Sequence, residues 1–343
     1  MASDRLTLKD VAKHAGVSLR TVTKVIGGDD SVREKNREAV LQAMKELNYI
    51  PNKAASVMGR KQVIKLAVVY SKCTDEVYFP EIEKGFRRCY LELRDYGLVM
   101  DFHTHNYSTW EDQKNYLESL IERSDLDGVV FQPSSSTKLT STIHALVQSG
   151  KPVALFGSDV ALSDRLVYVS CDAYQAGRAC GQLLEQQVRK NGKVLLFNNT
   201  IELEQVRNRT QGCLDRLSEK RPDLSVSVFW NMDSQDYYDL VRKQVETEDV
   251  AGIFCDDSHT VQVAQALKDL KRKDIPMIGF DLSERSAELM REGYINMILD
   301  PRPEEFSYLA AKTMFEYLSE GVVPEKKLYT PFYILISECL VRN

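Results

Sequence analysis

Leu8-Lys-Asp-Val-Ala-Lys-His-Ala-Gly-Val-Ser18-Leu-Arg-Thr-Val-Thr-Lys-Val-Ile26 is the stretch on which the reading of this chain turns. Leu8, Val11, Ala12 and Ala15 stand at i, i+3, i+4 and i+7, which is one face of a short helix. Gly16 then breaks the pattern and is free to adopt a left-handed C-terminal turn. Ser18 is a candidate cap for a second helix over 18–26, whose Val22, Val25 and Ile26 turn toward the first. A third helix is expected from about residue 33 to 48, with Val40, Met44 and Leu47 inward. Two short helices joined by a glycine turn and braced by a third make a helix-turn-helix. Leu19, Arg20, Thr21 and Lys24 are left facing outward. Arg can pair in a bidentate manner with guanine, Thr can meet a thymine methyl, and Leu19 offers an apolar base contact.

Charge supports a nucleic-acid role for this segment alone. Residues 1–62 hold 12 Lys/Arg against 7 Asp/Glu, and the remaining residues hold 33 against 43. A small basic head on an acidic body points to a phosphate contact confined to the head, although a solvated helical face has the same composition. With 43% apolar and 28% charged residues in 343, composition excludes disordered and low-complexity classes and suits two or three domains. No apolar run reaches the roughly 20 residues of a membrane helix. The first residues have no apolar signal-peptide core, so a cytoplasmic location without membrane partners is expected. Seven scattered cysteines with no C-x-x-C pair argue for a reducing compartment and against a zinc site.

The head resembles the N-terminal signature of the LacI/GalR family of bacterial transcriptional regulators. The resemblance rests on the stretch from Leu8 to Ser18, on Thr21-Val-Thr-Lys-Val25, and on Leu47-Asn-Tyr-Ile-Pro-Asn52. It implies DNA contacts at Thr7, Ser18, Leu19, Arg20, Thr21, Thr23 and Lys24. It also implies a hinge over 51–62 that folds on operator DNA, with contacts from Asn52, Lys53 and Ala55 and with Met58 wedged into the minor groove. Read without the resemblance, 52–61 is a plain linker, too short for a stable helix on its own. The chain departs from the family where Thr23-Lys24 replaces Ser-Arg, so a planar fork becomes a point charge. Gly27-Gly28 replaces Asn-Asn, and Arg33-Glu-Lys-Asn36-Arg37 opens helix three without the usual Ser cap. The operator sequence is therefore not transferable from relatives.

Beyond the hinge, strand-like runs at 64–70, 98–102, 127–131, 153–156, 194–197, 226–230, 251–254 and 276–280 alternate with helical stretches. That alternation reads as βαβ units in two lobes of mostly parallel sheet. No G-x-G-x-x-G, P-loop or G-x-S-x-G stands after a strand, and His103 and His105 have no local partners, so no catalytic residue, cofactor or metal site is assigned.

The body resembles the type I periplasmic sugar-binding fold that the family carries as its effector domain. The landmarks are Tyr78-Phe79-Pro-Glu followed by Gly85, Cys171-Asp172-Ala-Tyr174-Gln-Ala-Gly177-Arg178, Arg209-Thr-Gln-Gly212, Phe254-Cys-Asp256-Asp257 and Gly279-Phe-Asp281. By resemblance the ligand-binding set is Tyr78, Phe79, Ser135, Asp159, Asp172, Arg209, Asp256 and Asp281. Aromatic walls with Asp, Asn and Arg hydrogen-bonders suit sugars, and open α/β sheets bind ligands at the carboxyl ends of strands. Each residue also has a structural alternative: Phe79 as core, Arg209 as an ion-pair partner, Asp172 as a helix cap. Three positions depart from the family pattern: Gly157 for a common Asp, the Gln132-Pro-Ser-Ser-Ser136 stretch for an acidic position, and Leu299 for a Gln. An unusual or modified sugar is therefore expected.

The expected fold is a small all-α helix-turn-helix head (1–50) joined by a hinge (51–62) to an α/β two-lobed type I periplasmic-binding-protein-like domain (63–343). Lobe 1 is expected over about 63–160 and 293–323, lobe 2 over about 161–292 and 324–343. The expected function is a carbohydrate-gene repressor that binds pseudo-palindromic double-stranded operator DNA as a homodimer under a sugar-like effector. The chain ends too soon after its last strand for a heptad tail, so a dimer is favoured over a tetramer. The alternative is a solute-binding component of a transport system, against which the helix-turn-helix counts.

Overall fold

The computed structural model describes residues 8–26, 32–47, 63–71, 78–105, 109–198, 200–231, 234–256 and 259–340. By compactness the chain divides into two units, Met1–Gln62 and Val63–Asn343. In the first, α1 (Leu8–His14), α2 (Leu19–Ile26) and α3 (Glu34–Glu46) pack around buried Val11, Ala12, Val22, Val25, Val40 and Ala43. Leu8, Ala15, Ile26, Met44 and Leu47 close the edges of this core, so the helical periodicity of the sequence is the packing face. Gly16 has φ +67° and Val17 N donates to Ala12 O at 3.1 Å, which makes the left-handed turn between α1 and α2. Ser18 Oγ accepts from Thr21 N at 3.2 Å and caps α2. Arg33 precedes α3 and its side chain makes no cap. His14 Nε2 lies 2.7 Å from Glu46 Oε2, joining the C-terminal ends of α1 and α3, and this hydrogen bond holds the Glu46 carboxyl below its ordinary range.

The second unit contains two six-stranded sheets. β1 (Ile64–Ser71), β2 (Leu98–His105), β3 (Gly128–Phe131), β4 (Val153–Phe156), β5 (Val167–Cys171) and β11 (Lys327–Thr330) form the first, ordered β11-β5-β4-β3-β1-β2. β6 (Gly192–Asn198), β7 (Leu224–Trp230), β8 (Val250–Cys255), β9 (Met277–Phe280), β10 (Met297–Asp300) and β12 (Tyr333–Leu335) form the second, ordered β12-β10-β9-β8-β6-β7. Every pairing is parallel except β10 with β12. β3, β4, β8 and β9 are buried at every residue, as strands covered on both faces must be.

Helices cover both faces of each sheet. α4 (Tyr78–Leu93) and α12 (Pro303–Glu320) bury Phe86, Phe306 and Met314 on one side of the first sheet, while α5 (Trp110–Ser119) and α6 (Thr140–Gln148) cover the other. α7 (Ala173–Gln187) and α8 (Glu204–Lys220) cover one side of the second sheet. α9 (Ser234–Thr247), α10 (Thr260–Asp269) and α11 (Glu284–Arg291) cover its far side. Among the described residues no helix is long and apolar enough to cross a membrane.

The expected lobe boundaries need correction. Val167–Cys171 pairs within the first sheet, so the first crossing to the second lobe comes after Cys171 rather than near 160. Met297–Asp300 pairs with β9 in the second sheet, and Lys327–Thr330 pairs with β5 in the first; both lie in the opposite lobe from the one expected. These three strands are four or five residues long, and the first runs through Asp172 directly into α7, so periodicity alone does not separate them.

Two motif glycines set the position of α8. A Cβ on Gly177 would stand 1.9 Å from Arg209 O, and one on Gly212 would stand 2.2 Å from Tyr174 O. Only glycine lets α7 and α8 approach this closely, and the approach fixes the backbone that carries Arg209.

Candidate functional site

On the head, Leu19 (42% exposed), Arg20 and Thr23 are exposed along α2, with Thr21 and Lys24 partly covered. Thr23 Oγ1 donates to Leu19 O at 3.0 Å, and the Thr21 and Ser18 hydroxyls lie 2.9 Å apart, so these hydroxyls already have local partners. Leu19 and Arg20 form the outward surface that the pattern predicts. Thr7, Asn52, Lys53, Ala55 and Met58, together with the hinge over 51–62 and the Gly27-Gly28 pair, lie outside the described residues.

In the body, the carboxyl ends of the parallel strands of both sheets surround a cavity of about 200 Å³. The first lobe contributes Tyr78 and Phe79 at the start of α4, Gln132 after β3, Gly157 after β4, Cys171 at the end of β5, and Phe306 on α12. The second contributes Gln205 and Arg209 on α8, Asp256 after β8, and Phe280 and Asp281 at the end of β9. The walls are aromatic: the Tyr78 and Phe79 rings meet edge to face at 5.4 Å, and Phe280 lies across from them.

The polar groups are held by burial and by each other. Arg209, 8% exposed, forms an ion pair with Asp256, and its Cζ sits 3.7 Å over the Phe280 ring. Burial is the strongest single influence and opposes the Arg209 charge, but Asp256, Cys171 and Asp281 together outweigh it, and the guanidinium is held more firmly protonated than usual. Gln132 Nε2 donates to Tyr78 Oη at 2.9 Å. Burial, and next the Asp281 charge, push the Tyr78 phenol well up, so it stays a neutral hydroxyl. Burial pushes the Cys171 thiol up to about 11, which keeps it an inert wall. Asp281 has φ +60°, a left-handed conformation uncommon outside glycine and best tolerated by Asn and Asp. Such geometry persists only where the surroundings enforce it. Gly157, at φ +70°, stands so close that a Cβ would come 2.9 Å from both Gln132 Nε2 and Tyr78 Oη.

Five of the eight residues expected at the ligand site therefore line one cavity: Tyr78, Phe79, Arg209, Asp256 and Asp281. Ser135, Asp159 and Asp172 do not. Ser135 is buried, and its Oγ accepts from Thr137 N and Lys138 N at 3.4 and 3.3 Å in a turn. Its neighbour Ser136 reaches the other lobe instead: its Oγ accepts from Glu204 N at 2.8 Å and its N donates to Glu202 O at 3.3 Å. Asp159 is buried against Arg165, with Oδ2 accepting from Nη2 at 2.6 Å, and Asp172 accepts from Gln175 N at 3.0 Å as the cap of α7. Both line a second cavity of about 220 Å³. Leu299 is fully buried in the apolar core of the second sheet, so its side chain does not alter the cleft. Gln205, Phe280 and Phe306 also line the cavity; Phe280 lies within the Gly279-Phe-Asp281 motif, but nothing local to Gln205 or Phe306 signals a cleft role.

Comparison with known proteins gives two non-overlapping matches. Residues 7–52 match the model of bacterial regulatory proteins of the lacI family, and residues 66–321 match a periplasmic binding protein domain. The sucrose operon repressor of Lactococcus lactis subsp. lactis is 26% identical over 285 residues, covering 81% of this chain and 84% of that one. Catabolite control protein A of Staphylococcus epidermidis is 22% identical over 339 residues, covering 96% and 97%. Among solved structures, one of a putative LacI transcriptional regulator from Bacteroides fragilis superposes with a TM-score of 0.73 at 20% identity, over 81% of this chain and 98% of that one. GanP, a glucose-galactose binding protein from Geobacillus stearothermophilus, gives 0.74 at 18% identity, over 81% and 99%.

Proposed function

We infer that this chain, which belongs to the lacI family of bacterial regulatory proteins, represses carbohydrate-metabolism genes under the control of a sugar-like effector. It is a DNA-binding transcriptional regulator with a periplasmic-binding-protein-like body. The observation that carries the reading is the three-helix head, matched to the lacI model over residues 7–52, with Leu19 and Arg20 on its exposed face. A transport component would have no use for that head.

In this reading Arg20 reads a base pair, Leu19 and Lys24 flank it, and the hinge residues Asn52, Lys53, Ala55 and Met58 complete the contact. The protein works in the cytoplasm as a homodimer, because a pseudo-palindromic operator needs two heads related by a two-fold axis. The effector lies between the lobes against Tyr78, Phe79, Arg209, Asp256 and Asp281. It acts on DNA binding only by favouring one lobe arrangement over another, a difference passed through residues 51–62.

A gel shift on the gene's own upstream region, with and without candidate sugars, tests the proposal. Retarded DNA whose mobility responds to a sugar is expected. Sugar binding without any DNA binding would return the chain to the solute-binding alternative. Sedimentation that gives only monomer at micromolar concentration, with tight operator binding retained, would exclude the dimer.

A further inference from the structure

The charged side chains around the cleft bear directly on the charge of the effector. We propose that the effector is an unphosphorylated monosaccharide and that the cleft discriminates against sugar phosphates. The proposal rests on the cleft being the effector site.

Among the described residues lining the cleft, Arg209 is the one cation, facing the carboxylates of Asp256 and Asp281. Its charge is engaged twice, by the ion pair with Asp256 and by the Phe280 ring 3.7 Å from Cζ. A phosphate would have to compete with Asp256 for the guanidinium while meeting the Asp281 carboxylate. The second cavity offers no refuge. It shares Cys171, Ala173 and Gln205 with the cleft, and its walls bring Asp159, Asp172 and Glu204 against Lys327. The Lys327 ammonium is itself 3.5 Å from Asp159 Oδ2. Asp159 is already paired with Arg165, so a phosphate extending from a sugar in the cleft into this annex would meet the Asp172 and Glu204 carboxylates with Lys327 as the lining cation, and like charges brought together at a binding site weaken binding.

The same walls suit a neutral ring. Tyr78, Phe79, Phe280 and Phe306 present apolar surface for the flat face of a sugar, and Asp281 with the Gln132 amide can take hydroxyls. The volume of about 200 Å³ is below the roughly 300 Å³ at which pockets for drug-sized ligands begin, so one ring is the fitting size.

Titration calorimetry of the full chain with glucose, galactose, mannose and fructose, each beside its 6-phosphate, tests this. At least one free sugar should bind, and its 6-phosphate about tenfold or more weakly. Raising salt from about 50 to about 500 mM should leave the free sugar unchanged and narrow the gap by screening. Asp281→Asn, which the left-handed backbone tolerates, should narrow it as well. If that variant fails to fold, Asp172→Asn serves instead, since Asn also caps a helix and removes a carboxylate from the annex. A 6-phosphate that binds as tightly as its free sugar overturns the proposal, and so does a gap indifferent to both salt and substitution. Binding by neither series overturns the unphosphorylated monosaccharide, while an operator response to a larger or modified sugar would leave the sugar-effector reading standing.

Discussion

Arg209 and Asp256 form a buried ion pair at the base of the cleft, one side chain from a helix and the other from the end of a strand. Its partners come from α8, which two motif glycines press against α7, and from β8, buried at every residue. A pair in this setting is costly to break from one side, because the remaining charge stays buried.

Asp256→Asn should therefore lower the unfolding free energy by about 3–5 kcal/mol. The double substitution Arg209→Met with Asp256→Asn should recover much of that loss, since the unpaired guanidinium is gone. Urea denaturation of Asp256→Asn, Arg209→Met and the double variant measures both. Losses that simply add would mean the two side chains do not depend on one another.

Gly157→Ala should impair the effector site with little effect on the head. The left-handed backbone costs a non-glycine residue about 1–2 kcal/mol, and the new Cβ would press on Gln132 and Tyr78 at 2.9 Å. Effector affinity should fall while operator affinity without effector stays as in the wild type. Fluorescence-polarisation titrations of operator DNA with and without sugar distinguish this from general unfolding, which would lower both.

How far the sequence discloses this molecule depends on whether a feature is local. The head was legible because its core repeats at helical spacing, and several buried strands because short apolar runs bounded by turn residues suit a strand covered on both faces, although Val167–Cys171 escaped that signal. Lys327-Leu-Tyr-Thr330 was not, since an edge strand with alternating exposure resembles a loop. In the cleft, Asp281 and Arg209 are legible through the resemblance of Gly279-Phe-Asp281 and Arg209-Thr-Gln-Gly212 to family motifs. Asp159 and Asp172 are likewise carboxylates close to strand ends, but one turns to Arg165 and the other to its own helix. Gln205 and Phe306 enter the cleft only through packing between segments far apart in sequence.

Arg20→Ala should cost roughly 1–3 kcal/mol and relax preference at one base pair, as loss of a bidentate base contact does. Lys53→Ala should instead weaken all sequences alike and lower the salt slope by about one unit, as loss of a phosphate contact does. Binding selections on randomised operators, run at two salt concentrations, separate the two signatures. A uniform loss for both substitutions would remove Arg20 from the base-reading face.

The switch is tested at Asp281, whose half-buried carboxylate lines the cleft at φ +60°. Replacing it by Asn keeps the shape and the tolerated backbone but removes a charged acceptor for ligand hydroxyls. The effector titration should then move to higher sugar concentration, while operator affinity without sugar is unchanged because the substitution lies in the body unit. Coupling free energies of this kind are typically about 1–3 kcal/mol, so wild-type operator affinity should change about 5- to 150-fold on saturation with effector. The direction of that change separates an inducer from a corepressor, and either is compatible with the cleft, since a ligand shifts the equilibrium toward whichever lobe arrangement it binds better. Operator titrations of wild type and Asp281→Asn, each with and without saturating sugar, give all four affinities. An Asp281→Asn protein with an unshifted midpoint and full amplitude would take this carboxylate out of the effector site.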